Sequence, residues 1–230
     1  MDDFEFAEAL VTIAENEPKV YAAGKAAQRK AFVNAHQQNG ARTNYNYAYY
    51  GVGWTDDTFW LEHDIVASVA ECMFYNSKIT NLEKILTECG KTIDFSRLKT
   101  VYRPFMNSAI TVYPELNFSN STSQSATLRN ASAVTIPKFI ISEKCGEFNA
   151  TFQSCDALVT LIIEGTIAGT GFNVSDCTKL SHESLISILN ALKDFSEDTG
   201  THTCTLGTTN LAKLTDAEKA IATEKGWTLA

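Results

Sequence analysis

Four histidines, six cysteines and an excess of carboxylates are the groups in this chain that could carry chemistry. His63 and Asp64 are adjacent, while His182, His202 and Cys204 lie far along the chain. If the segment around 203 is extended, His202 and Cys204 share a face, as a nucleophile and its base would. A structural zinc site uses closely paired ligands such as Cys-x-x-Cys. No such spacing occurs among Cys72, Cys89, Cys145, Cys155, Cys177 and Cys204. There is no glycine-rich phosphate loop and no Gly-x-Ser-x-Gly elbow. Asp56, Asp57, Glu62 and Asp64 exceed the two carboxylates a glycosidase needs, but abundance does not select a pair. The expectation is therefore a non-enzymatic protein with no catalytic residue, no metal and no cofactor. In a reducing compartment the cysteines are expected as buried thiols.

A second group is aromatic. Tyr45, Tyr47, Tyr49, Tyr50, Trp54, Phe59 and Trp60 crowd into residues 41–66. Alternation at 45, 47 and 49 suggests a short extended segment, with Gly51 and Gly53 marking a turn. Displayed in a groove, Tyr45, Tyr47, Trp54 and Trp60 would stack on sugar rings. The other reading is that the aromatics cover the open end of the domain that follows.

The charge excludes some functions. The formal net charge is −8 and the pI about 5.0, without a basic stripe of the kind nucleic-acid binding requires. No run approaches the ~20 apolar residues of a membrane helix. The acidic start, Met1-Asp2-Asp3-Phe4-Glu5, lacks the basic region of a signal peptide. Synthesis in the cytosol without export by that route is expected. The sequons at Asn117, Asn120, Asn130, Asn149 and Asn173 then have no consequence.

The elements that would position these groups follow a weak repeat. Met73-Phe74-Tyr75-Asn76-Ser77, Pro104-Phe105-Met106-Asn107-Ser108, Thr127-Leu128-Arg129-Asn130-Ala131 and Thr151-Phe152-Gln153-Ser154-Cys155 read as copies of one unit, with a poorer fifth copy from Phe172. A period in the low twenties predicts a solenoid, because a unit this short buries an apolar face only by stacking. Phe74, Phe105, Leu128 and Phe152 are expected in one column, and Ile79, Ile110, Val134 and Leu158 in another. Asn suits the turn because it tolerates left-handed backbone. The longer first interval predicts an inserted helix around Leu82, Ile85 and Leu86, ending near Gly90. Residues 136–141 and 158–165 read as the best strands.

The flanks differ. Residues 2–38 read as helix with a break near Pro18. Phe6, Leu10, Ile13 and Val20 lie on its narrow apolar stripe, which suits either self-association or folding back as a cap. At the other end, Ser181 caps a helix, Thr215-Asp216-Ala217-Glu218 is a capping box, Gly226 is a stop, and Trp227-Thr228-Leu229-Ala230 is a closing strand. The division is 1–40 helical, 41–66 aromatic connector, 67–180 repeats and 181–230 cap. The fold class is α+β: an N-terminal helix, a leucine-rich-repeat-like solenoid and an α/β C-terminal cap.

Several stretches carry a family resemblance. Ile13 through Lys25, Gln37 through Tyr45, Gly53 through Phe59, and Thr209 to the end resemble leucine-rich-repeat-like proteins encoded by phages and prophages of gut bacteria. The repeats resemble degenerate BspA-type leucine-rich repeats, with Asn76, Asn107 and Asn130 at a turn where that type often has Cys. The resemblance implies a virion-located protein of tail, neck or appendage, with no assigned catalytic residues. Its partners would be other virion proteins or a host-surface molecule. A homo-oligomer is expected, a trimer being one cyclic form that suits a virion axis, with neither nucleic acid nor membrane as partner.

Overall fold

A computed structural model describes residues 44, 45, 48, 49, 55–57, 59, 61 and 63–230. The helix expected over 2–38 lies outside them, with Phe6, Leu10, Ile13 and Val20. Helices and parallel-strand sheets are mixed, and among the described residues no sheet closes into a barrel. The short strands β1 (Ile65–Val66) and β2 (Ile93–Asp94) pair with each other. They flank helix α1 (Leu82–Cys89). Next come β3 (Thr100–Tyr102), β4 (Leu116–Phe118), β5 (Ser123–Ser125), β6 (Thr135–Ile141), β7 (Phe148–Asn149) and β8 (Thr160–Gly165). The chain ends with α2 (His182–Ala191), β9 (His202–Cys204), α3 (Thr208–Leu211), α4 (Asp216–Glu224) and β10 (Trp227–Leu229).

Strands alternate between two three-stranded parallel sheets, β3-β5-β7 and β4-β6-β8. In the first, Val101 pairs with Gln124 and Gln124 with Phe148. In the second, Leu116 pairs with Phe139 and Phe139 with Ile163. The second, third and fourth copies of the unit are therefore each flanked by one strand of each sheet. The outer residues are polar or half-buried, and the inner ones, such as Ile136, Phe139, Leu161 and Ile163, are core.

The turns joining the sheets stack as well. Each holds two non-glycine residues at positive φ, four positions apart: Cys72 and Asn76, Arg103 and Asn107, Ala126 and Asn130, Ala150 and Ser154. Left-handed backbone costs on the order of 1–2 kcal/mol per non-glycine residue. Hydrogen bonds between turns hold it in place. Amides of Cys72, Phe74 and Asn76 donate to carbonyls of Tyr102, Pro104 and Met106; those of Arg103, Phe105 and Asn107 donate to Ser125, Thr127 and Arg129; those of Ala126, Leu128 and Asn130 donate to Asn149, Thr151 and Gln153. Asparagine at the second position matches its tolerance of this region.

Phe74, Phe105, Leu128 and Phe152 are all buried. The second expected column needs one correction. Ile79, Ile110 and Leu158 are core, but their companion is the buried Ala133, while Val134 is half-buried with its amide on the carbonyl of Thr111. A slip of one residue reverses the face in extended backbone.

Polar groups also enter the core. Gln124 is buried between Val101 and Phe148, and its side-chain nitrogen has no partner. Its oxygen accepts a long 3.5 Å bond from the buried Thr127 hydroxyl. Removing both polar groups together eliminates an unmet donor. The Gln124→Met/Thr127→Val double variant is expected to be about 1 kcal/mol more stable than the parent in urea unfolding, whereas Thr127→Val alone is expected to be less stable.

The expected short-range signals sit where the helices begin and end. Asn81 caps α1 through the amide of Lys84, and Gly90 follows in left-handed conformation. Ser181 caps α2, and Thr215 with Glu218 forms a capping box at α4. The closing strand β10 pairs in parallel with β9, Trp227 opposite His202. A Cβ on Gly226, at φ +81°, would lie 2.6 Å from the Phe195 carbonyl oxygen, so both conformation and space require glycine there.

Candidate interaction surface

The residues first singled out for chemistry are mostly engaged in structural contacts, although the extended β9 does place His202 and Cys204 at alternate positions on one face. His202 stacks on Phe195 with ring centroids 3.7 Å apart, and its Nε2 lies 3.2 Å from an Asp198 carboxylate oxygen. Cys204 is buried, and burial pushes its thiol up to about 12, so it is not an imidazole-activated thiolate. His182 lies 2.8 Å from Glu218, tying α2 to α4. Asp56 accepts the Thr80 amide at 2.6 Å and bonds the Thr80 hydroxyl. Asp64 accepts the Thr92 amide at 2.8 Å and its hydroxyl at 3.0 Å, and these two bonds hold its carboxyl below the usual range. Both carboxylates fasten neighbouring turns. Among the described residues no three His, Cys, Asp or Glu side chains form a group able to hold a metal.

Tyr45 is placed differently from the expectation of a displayed ring. Its side chain belongs to the core at 7% exposure, and its amide donates to the Val69 carbonyl at 2.7 Å. Tyr49 is also buried, stacked on Phe74 and edge-on to Phe59. These two rings follow the reading in which aromatics cover the start of the stack. Tyr47, Trp54 and Trp60 lie outside the described residues.

What the fold displays instead is a pair of regular outer faces. On β4-β6-β8, Lys138 bridges Glu115 at 3.4 Å and Glu164 at 2.8 Å, an ion ladder across three strands. The Glu164 bond leads in holding the lysine charged to higher pH than usual. Beside it, α1 and β2 wall a groove of about 490 Å³ lined by Leu86, Ile93, Asp94, Pro114, Glu115 and Asn117.

The other face belongs to β3-β5-β7 and its stacked turns. Tyr102 is 38% exposed, and the Arg103 guanidinium lies 4.5 Å from its ring centroid. Ser125 and Asn149 continue outward from Tyr102 in register. At the turn, Asn130 Nδ2 donates to Asn107 Oδ1 at 3.1 Å, and Asn107 Nδ2 donates to the Tyr75 hydroxyl at 3.2 Å. Arg129 lies in the next turn, its backbone amide bonded to the carbonyl of Ala126, the residue that follows Ser125 as Arg103 follows Tyr102. Nε of both arginines is buried and unpartnered.

Sequence reasoning missed this face. The signal was present in the charge distribution: between Asp94 and Glu143 the only acid is Glu115, against Arg97, Lys99, Arg103, Arg129 and Lys138. A regional surplus of four positive charges is hidden by a net charge of −8 for the whole.

No family model, curated protein or solved structure matches the chain.

Proposed function

We propose that this chain is a structural and interaction protein of a phage particle, without enzymatic activity. In this reading it belongs to a tail, neck or appendage, and its repeats form a leucine-rich-repeat-like solenoid that presents a face to other particle proteins or to a host-surface molecule. The observation that carries the reading is the turn ladder, in which four successive turns repeat the same paired left-handed residues and the first three each donate three amides to the next in register. Such stacking makes a long, regular outer surface from short units, which suits extended contacts. The phage assignment rests on the resemblance of the end segments. Assembly through Phe6, Leu10, Ile13 and Val20 is part of the same proposal, and a cyclic oligomer would follow from it.

The test is mass spectrometry of purified particles from the source. A copy number stoichiometric with known particle components supports the assignment. Detection only in the cell or the medium would overturn it in favour of a free surface adhesin. Removing residues 1–38 is expected to lower the oligomeric mass by light scattering; an unchanged mass would refute assembly through that segment.

A further inference from the structure

We infer that the outer face of β3-β5-β7 and its turns binds an anionic polysaccharide, one bearing carboxylate or sulfate groups. This deepens the proposed contact function and rests on it. Arg97, Lys99, Arg103 and Arg129 all belong to the second and third repeats, and none of them has a carboxylate within ion-pair distance among the described residues. Several other cations among the described residues are engaged: Lys138 on two glutamates, Lys213 on the Thr178 and Leu180 carbonyls, Lys225 on those of Leu189 and Asn190. Lys78, Lys91, Lys144 and Lys179 also lack an ion pair, but the described arginines, Arg97, Arg103 and Arg129, all belong to the β3-β5-β7 group. Unpaired guanidiniums are suited to carboxylate and sulfate, because their planar fork makes paired, charge-assisted hydrogen bonds.

The neighbours of these cations point to a sugar rather than a peptide or a nucleic acid. Tyr102 presents a ring at the surface, as sugar stacking requires. Ser125 and Asn149 stand beside it in register, and the Asn107–Asn130 amide ladder edges the same turns. Hydroxyl and amide rows offer both donors and acceptors to vicinal hydroxyl groups. Among the described residues Tyr102 is the only ring among the most exposed large apolar side chains, so they show on this face no succession of rings of the kind single-stranded nucleic acid stacks on. The acidic segment of this chain, with Asp2, Asp3, Glu5, Glu8, Glu15 and Glu17, adjoins a stretch from Lys19 to Arg42 that holds five cations and no acid. That acidic segment is the competing occupant from within the chain, and removal of residues 1–17 separates it from a ligand from outside.

Retention of the purified full chain on immobilised heparin, polygalacturonate and neutral dextran tests this. Retention on heparin or polygalacturonate, none on dextran, and elution at higher salt than a control protein of equal net charge are expected. Retention on heparin alone assigns sulfate; retention on both shows that carboxylate suffices. The Arg103→Gln/Arg129→Gln variant is expected to bind at least about tenfold more weakly, the loss of charge-assisted bonds. Lys84→Gln/Lys219→Gln, with the same change in charge on α1 and α4, is expected to bind like the parent. Because Arg103 sits at positive φ, the exposed pair Arg97→Gln/Lys99→Gln is measured beside it, with a smaller loss expected at unchanged melting temperature. Equal retention of parent and both arginine-face variants would overturn the inference. So would tighter binding to duplex DNA than to either polysaccharide, or binding that appears only after residues 1–17 are removed, which would assign the face to the chain's own acidic segment. Failure of every polyanion for a chain found stoichiometrically in particles would remove this ligand while leaving the particle role in place.

Discussion

Replacing Asn210 by alanine is expected to destabilise the chain by about 2–4 kcal/mol, from the loss of buried hydrogen bonds at roughly 0.5–1.5 kcal/mol each and of an acceptor for the Lys213 ammonium at roughly 1.5–3 kcal/mol. Asn210 is fully buried in α3. Its Nδ2 donates to the carbonyls of Leu206 at 3.0 Å and of Val174 and Cys177 at 3.3 Å. Its Oδ1 accepts from Lys213 Nζ at 3.0 Å, and that ammonium also donates to Thr178 and Leu180 at 2.8 and 2.7 Å. Two side chains thus bond the carbonyls of the loop over 174–180, which lacks the non-glycine left-handed pair of the earlier turns. Helix α3 thereby holds that loop in place. Leucine at 210 fills the volume without a donor, so it should cost nearly as much as alanine; urea midpoints of both variants decide this. A leucine variant close to the parent would show that volume, not hydrogen bonding, governs the site.

Nothing in the sequence around Thr208 pointed to that role. α3 is four residues long and has no side-chain cap, so no local signal announces it. α1, α2 and α4 were legible because Gly90, Ser181 and the Thr215–Glu218 box act within one turn of the helix they bound. Strands near 136 and 160 were legible from their apolar, β-branched runs, and they extend over Thr135–Ile141 and Thr160–Gly165. The first member of each left-handed pair was not. Cys72, Arg103, Ala126 and Ala150 share no side-chain preference for positive φ; the hydrogen bonds to the next turn impose it. Tyr45 and Arg103 show the same limit from opposite sides. An aromatic cluster reads alike whether it caps a core or faces water, and unpaired cations become visible only when the stack has placed every carboxylate.

The stack also predicts how damage spreads. Phe105 is fully buried, 5.5 Å from Phe74 in nearly parallel stacking, and edge-on to Phe95 at 5.7 Å and Tyr113 at 5.2 Å. Alanine there leaves a cavity facing three rings, and a loss of about 3–5 kcal/mol is expected. Leucine occupies the equivalent position of the next repeat at 128, where it is equally buried, so Phe105→Leu should cost much less, about 1–2 kcal/mol. On the proposed solenoid reading, in which each unit contacts its neighbours along a line, stability is expected to fail locally. Amides of Phe74 and Asn76, bonded to the turn that carries Phe105, should lose hydrogen-exchange protection in Phe105→Ala. Those of Leu185 and Leu189 in α2 should keep it, since that helix packs on β8 and α4 at the far end. Equal loss at both ends would mean that the described residues unfold as one cooperative unit, so that the stacked turns and the C-terminal helices share a single stability.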